Sequence, residues 1–559
     1  MRRKKGAMVF AQAMRLVLCF SITSLARAFS STPFDPREAT VASVRNALWT
    51  QSTTCRQVVS SFLARIEAFN PKINAIISLN PEALAVADQL DLQLAEGNAT
   101  APLFCIPVLL KDNFDAIGMM TTGGCLALAN NQPSEDAPTV AALRNAGAVI
   151  LGKTNLHEMA LEGLSVSSLG GQTINPYDVT RTPGGSSGGT GAAIAASFAI
   201  IGTGTDTVNS LRSPASANSL YSFRPTRGLI SRAGVIPVSY TQDSVGAIAR
   251  SLDDLALALT IMASGGLDPA DNTTALKPTE LEDKDYTVAL RGGSLKGVRL
   301  GILDGFLNRT GSDETTPVNV VMTSVVDKLT AGGAEIVNIT ESIYNATQLL
   351  TLDTQVYEYR QELDSYLARG HLAGTSRPTT FSELYTSDNF LVIPAQYPYI
   401  QRAFTCSTSD AGYSETKQAI RHLGAFLQTT FEAHGLDAII YPQQKNLVVK
   451  QGSPSQSGRN GILAALTGSP VVVVPAGFSP PSEDAPVGVP VGMEILGKPW
   501  SEDRLLNIAK HVSDTLGPVR RVPHFATGAL EEKAYNHVPI VRPDTGNIKN
   551  VYPQGAIGE

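Results

Sequence analysis

Apolar and polar positions alternate along the chain in a way that separates short buried strands from amphipathic helices. Between 36 and 70 the apolar residues recur at helical spacing, first Val41, Val44, Ala47 and Leu48, then Val58, Val59, Phe62, Leu63 and Ile66. That spacing lays them on one helical face. Residues 102–110 and 148–151 are continuous apolar runs, which predict buried strands, and 137–146 between them is helical. Further strands are expected at 298–303, 438–441, 471–474 and 492–496. Residues 192–201 read as a small apolar helix, with a polar turn over 204–212 behind it. Strands alternating with helices predict an α/β layered domain. Residues 340–430 carry more polar helix and aromatics and read as a section laid over the core. Residues 536–559, with Pro543, Gly546, Pro553 and Gly555, read as a C-terminal arm or tail.

Composition adds limits. The chain has 559 residues, 43% hydrophobic and 17% charged, enough for a large core. Its net charge of −6 implies no basic face, so nucleic acid is not an expected partner. Cys55, Cys105, Cys125 and Cys406 lack CxxC spacing, which argues against a zinc site. Whether they pair or remain free thiols is left open.

The N-terminus stands apart. Arg2, Arg3, Lys4 and Lys5 precede an apolar run over 16–25, and Ala26-Arg27-Ala28 offers a cleavage site. This predicts a secretory signal peptide over 1–28 and a secreted or secretory-pathway protein, with a mitochondrial presequence as the alternative. The run is too short to span a bilayer, so no stable membrane insertion is expected. Sequons at Asn98, Asn272, Asn308, Asn338 and Asn345 fit a glycoprotein.

Two motifs fail their context. Gly147 to Gly152-Lys153-Thr154 matches the P-loop pattern, but its intervening residues are the apolar strand itself and not a phosphate-cradling loop. Gly185-Ser186-Ser187-Gly188-Gly189 matches the nucleophile elbow with Ser187 at its centre, but no strand leads into it.

Three other segments fit one chemistry: Lys111 at the end of a buried run, the Ser/Gly stretch 184–189, and Gly204-Thr205-Asp206-Thr207-Val208-Asn209-Ser210-Leu211-Arg212. A serine hydroxyl needs a base, and burial can give a lysine the neutral form a base requires. Here the sequence resembles the amidase signature family over about 36–535. The likeness includes Gly152-Lys153-Thr154-Asn155, Asn175-Pro176-Tyr177, residues 181–189, Arg224 to Gly228, Gln242-Asp243 and Pro475-Ala476-Gly477.

The resemblance implies a single large α/β/α layered domain with a mixed central sheet covered by helices. It also implies a serine amidohydrolase that cleaves a carboxamide C–N bond of a small molecule. Ser210 would be the nucleophile, Ser186 the bridging serine after a cis peptide bond, and Lys111 the base. Backbone amides of Thr207, Val208 and Asn209 would form the oxyanion hole, with Ser187, Thr205, Asp206 and Arg212 as support. No metal or cofactor is implied. Many members carry two glycines where this chain has Val208-Asn209, and a glycine is common at Cys105. Tyr357, Tyr359, Tyr366, Tyr385, Phe390, Tyr397 and Phe404 are candidates for an apolar substrate pocket or for packing. The alternatives are a glutaminase-type subunit of a tRNA amidotransferase, or an inactive amidase-like binding protein. A homodimer is left open.

Overall fold

The computed structural model describes residues 34–558. The expected leader, 1–28, lies outside them. Eleven strands make one central sheet: β1 (Ile76–Leu79), β2 (Pro107–Lys111), β3 (Val149–Thr154), β4 (Ile201–Asp206), β5 (Tyr221–Arg224), β6 (Ser244–Ala249), β7 (Arg299–Leu303), β8 (Glu335–Ile339), β9 (Ala438–Pro442), β10 (Val471–Phe478) and β11 (Pro490–Leu496). Their spatial order is β1-β3-β2-β4-β6-β5-β10-β11-β9-β7-β8. β3-β2-β4 and β9-β7-β8 pair in parallel and the joining strands antiparallel, so the sheet is mixed. β2, β4 and β6 are buried along their whole length, as strands covered by helices on both faces require.

The helical run expected over 36–70 is two helices, Val41–Trp49 and Cys55–Ile73. Thr40 and Thr54 each cap one with a capping box, so the chain restarts at Thr54. Residues 192–201 are not one helix. The helix is Gly188–Ala195, and Ile201 already begins β4. An unbroken apolar run has no period, and Gly202 and Gly204 hide the strand. Those glycines are needed because a Cβ at Gly202 would sit 2.3 Å from the Thr190 methyl of the covering helix. Residues Val149–Thr154 form a buried strand, not a phosphate loop.

Cys55 and Cys105 form a disulfide that ties the second helix to the residue two before β2, and Cys125 and Cys406 are free. Over 340–430 most of the aromatics pack on each other: Tyr359 meets Phe381 and Tyr385 edge to face, Phe404 meets Phe381 the same way, Phe381 and Tyr385 are tilted, and Phe390 lies against Tyr385. Residues beyond 536 lie against the body. Asp544 exchanges hydrogen bonds with Asn74, Asn547 holds Gln172, and Tyr552 is buried.

Candidate active site

β2 ends at Lys111, and this position decides the chemistry of its side chain. Lys111 is fully buried. Its Nζ donates to Ser186 Oγ at 2.8 Å and to Thr205 Oγ1 at 2.7 Å. Its backbone N–H is held by Thr203 Oγ1 at 3.1 Å, which fixes the strand end against β4. No carboxylate pairs with it among the described residues. Burial therefore brings its pKa down to about 7, with Asp206 and Asp243 opposing only in part.

Ser186 follows a cis Gly185–Ser186 peptide bond. Its carbonyl accepts from His157 N at 2.9 Å, and Ser165 Oγ holds the neighbouring Gly184 carbonyl at 2.7 Å. The helix Gly188–Ala195 starts immediately after, so the serine sits where a loop turns into a helix.

Ser210 stands between the end of β4 and the helix Arg212–Ala217. It is 6% exposed, and with Thr207, Val208 and Asn209 it lines a cavity of about 70 Å³. The Ser187 N–H donates to the Ser210 carbonyl at 3.2 Å, tying the two serine loops together. The amides of Val208 and Asn209 have no acceptor among the described residues, which leaves them available to an oxyanion.

Behind this turn lies a buried ionic network. Asp206 Oδ1 meets Arg212 at 2.9 Å and Arg224 at 2.7 Å, and Arg212 also meets Glu494 of β11 at 2.7 Å. Leu211 N donates to Asp206 Oδ2 at 3.0 Å, and Arg212 holds the Val208 carbonyl. Burial alone would raise the Asp206 pKa, but the Arg212 and Arg224 guanidiniums hold it well below the usual carboxylate range. Thr207 Oγ1 donates to Asp243 at 2.6 Å.

All ten residues singled out from the sequence therefore come together: Lys111, Ser186, Ser187, Thr205, Asp206, Thr207, Val208, Asn209, Ser210 and Arg212. Sequence reasoning missed several neighbours. Asn113 donates to Thr205 Oγ1 at 3.1 Å; its place one strand repeat after Lys111 was the available signal. Arg224, noted above only as part of the family likeness, and Glu494, which has no local signal, complete the Asp206 network. Tyr399, absent from the aromatic candidates above, lines the Ser210 cavity together with Asp353, Glu162 and Arg459. Among the described residues no helix is long and apolar enough to cross a membrane.

Comparison with known proteins shows the family and the fold. The amidase family model matches residues 57–506. Mandelamide hydrolase of Pseudomonas putida is 31% identical over 505 residues, covering 86% of this chain and 91% of the relative. The glutamyl-tRNA(Gln) amidotransferase A-type polypeptide of Methylobacillus flagellatus is 34% identical over 483 residues, covering 82% and 92%. The native peptide amidase of Stenotrophomonas maltophilia superposes with a TM-score of 0.75 at 31% identity, covering 88% of this chain and 99% of that one. These relatives overturn the secreted or secretory-pathway location, its mitochondrial alternative and the glycoprotein expectation. They are bacterial amidotransferase polypeptides and amidases matched over nearly their whole length, and they argue against that route. The leader expectation drew on charge, hydropathy and a small-x-small tripeptide in a segment before the family match, where none of these is specific to export.

Proposed function

The chain belongs to the amidase family, has the amidohydrolase character of that family, and on that premise we propose that it cleaves the C–N bond of a small carboxamide through an acyl-enzyme on Ser210. One observation carries the reading: a fully buried lysine amine with no carboxylate partner among the described residues lies 2.8 Å from the hydroxyl of Ser186, whose loop is bonded to the Ser210 turn. A neutral Lys111 takes the Ser186 proton while Ser186 takes that of Ser210. Ser210 Oγ then attacks the carbonyl carbon, and the Val208 and Asn209 amides receive the negative oxygen. The proton returns along the same relay to the leaving nitrogen, and the C–N bond breaks. Water, deprotonated by the same relay, hydrolyses the ester and frees the acid.

Thr205 and Asn113 serve this by position. The Thr205 hydroxyl accepts from both Lys111 and Asn113. This holds the amine so that its remaining direction faces Ser186.

The test is labelling by a fluorophosphonate serine probe. The parent should label; Ser210→Ala should not, and Lys111→Ala should label far more slowly. A folded parent that does not label overturns the reading and favours a binding protein.

The likeness to the glutamyl-tRNA(Gln) amidotransferase polypeptide supports a second reading, a glutaminase that works with partner subunits. It predicts that the isolated chain hydrolyses glutamine poorly and small amides not at all. Turnover of simple amides by the isolated chain would exclude it.

A further inference from the structure

The cavity at Ser210 contains two polar side chains with nothing to bond. Asn209 is 2% exposed, and its side-chain amide nitrogen has no hydrogen-bond partner among the described residues. The Tyr399 hydroxyl is buried and equally unpartnered. Both line the same cavity of about 70 Å³ as the nucleophile. Leaving a buried donor or acceptor unsatisfied costs stability, so a group that bears this cost at a reactive serine points to a ligand.

The surrounding structure holds both side chains in place. A Cβ at Gly461 would lie 2.5 Å from the Asn209 Cβ, so the absence of a side chain there makes room for this asparagine. The Tyr399 ring stacks on Tyr359 with centroids 5.9 Å apart. The other polar groups of the wall are already engaged. Arg459 pairs with buried Glu162 at 3.2 Å, Gln396 donates to Glu162 at 3.0 Å, and Gln355 donates to both oxygens of Asp353.

That division sets the chemistry of the missing partner. Among the described residues no unpaired cation faces the cavity, so a carboxylate on the substrate would lack a counter-charge. An amide and a phenol together can satisfy a group that both donates and accepts, and the volume admits only a short chain. We infer that Asn209 and Tyr399 form an acyl-side subsite for a neutral hydroxyl, making short hydroxy-acyl amides the preferred substrate class. The inference rests on the amidase reading above.

The test uses two amides of equal heavy-atom count, lactamide and isobutyramide, which differ by a hydroxyl in place of a methyl. The parent should favour lactamide in kcat/KM by about ten-fold, the scale of two neutral hydrogen bonds. Tyr399→Phe and Asn209→Gly should each cut that ratio to about three-fold or less, as loss of one such bond implies. Because the ratio compares two substrates on one protein, a loss of folded or active enzyme does not move it. Equal turnover of both amides by the parent, or a ratio unchanged in both variants, overturns the subsite. Turnover of neither by a parent that labels at Ser210 also overturns it and leaves the amidase reading standing. A parent that does not label overturns the amidase reading itself, and the subsite with it.

Discussion

Asp112 follows Lys111 directly in sequence, yet its carboxylate pairs with Lys153 of β3 at 3.4 Å and leaves Lys111 without an ion-pair partner. Consecutive residues at a strand end point to opposite faces. Lys153 also bonds the Phe114 and Met120 carbonyls, so it is a structural cation that takes up the nearest negative charge. Lys111 is thereby left as an amine that can be neutral near pH 7.

The first prediction concerns pH. With the Lys111 pKa brought down by burial to about 7, kcat/KM should rise with pH through about 7 and then level off. Lys111→Arg, which cannot lose its proton, should lose nearly all activity. Stability should respond as well. Between about 7 and 10.5 the unfolded chain holds this proton and the native state does not, so stability from this group should rise with pH across that window and be lowest below about 7. A pH–rate profile and urea titrations at pH 7 and 9 check both statements.

The Asp206 network should be the most sensitive point of the site scaffold. Asp206→Asn leaves the Arg212 and Arg224 charges buried with one counter-charge fewer, a loss of about 3–5 kcal/mol for a broken buried pair. Because the native Asp206 pKa lies below its ordinary value of 3.8, its contribution is present above that value and is lost as pH falls through the native pKa. Urea denaturation at pH 7 reads the first effect, and the same titration at pH 3 should show a smaller gap between variant and parent.

Gly189 should tolerate no side chain. A Cβ there would lie 2.1 Å from the Asn155 carbonyl oxygen, a backbone atom that cannot swing aside. Gly189→Ala should destabilise by about 1–3 kcal/mol, the range for overpacking, and should lower Ser210 labelling because the same helix start carries Ser186. Thermal melting and probe labelling measure the two losses.

The Cys55–Cys105 link closes a loop of 50 residues. Loop-closure entropy assigns such a link about 4 kcal/mol. Cys105 has φ of +61°, in the left-handed region, so Cys105→Gly regains part of the loss by relaxing the backbone. Cys55→Ala should therefore melt lower than the double variant Cys55→Ala/Cys105→Gly, as differential scanning calorimetry can show.

The sequence by itself determined the local parts of this protein. Apolar runs marked β2, β3, β7, β9, β10 and β11 because a buried strand needs an unbroken apolar stretch. Lys111, Ser186 and Ser210 stand in short motifs, and the likeness of those motifs to a family singled the three residues out. Only the tertiary structure decided the rest. β4 was hidden because its glycines answer to the helix packed over it, a contact with no counterpart in local pattern. The Asp206–Arg212–Glu494 chain joins residues 282 positions apart, held only because β11 lies within the same sheet. Tyr399, Arg459 and Glu162 reach the Ser210 cavity from three distant segments. The Arg459–Glu162 pair and the unpartnered Tyr399 hydroxyl are properties of that enclosure, which no window of the chain contains.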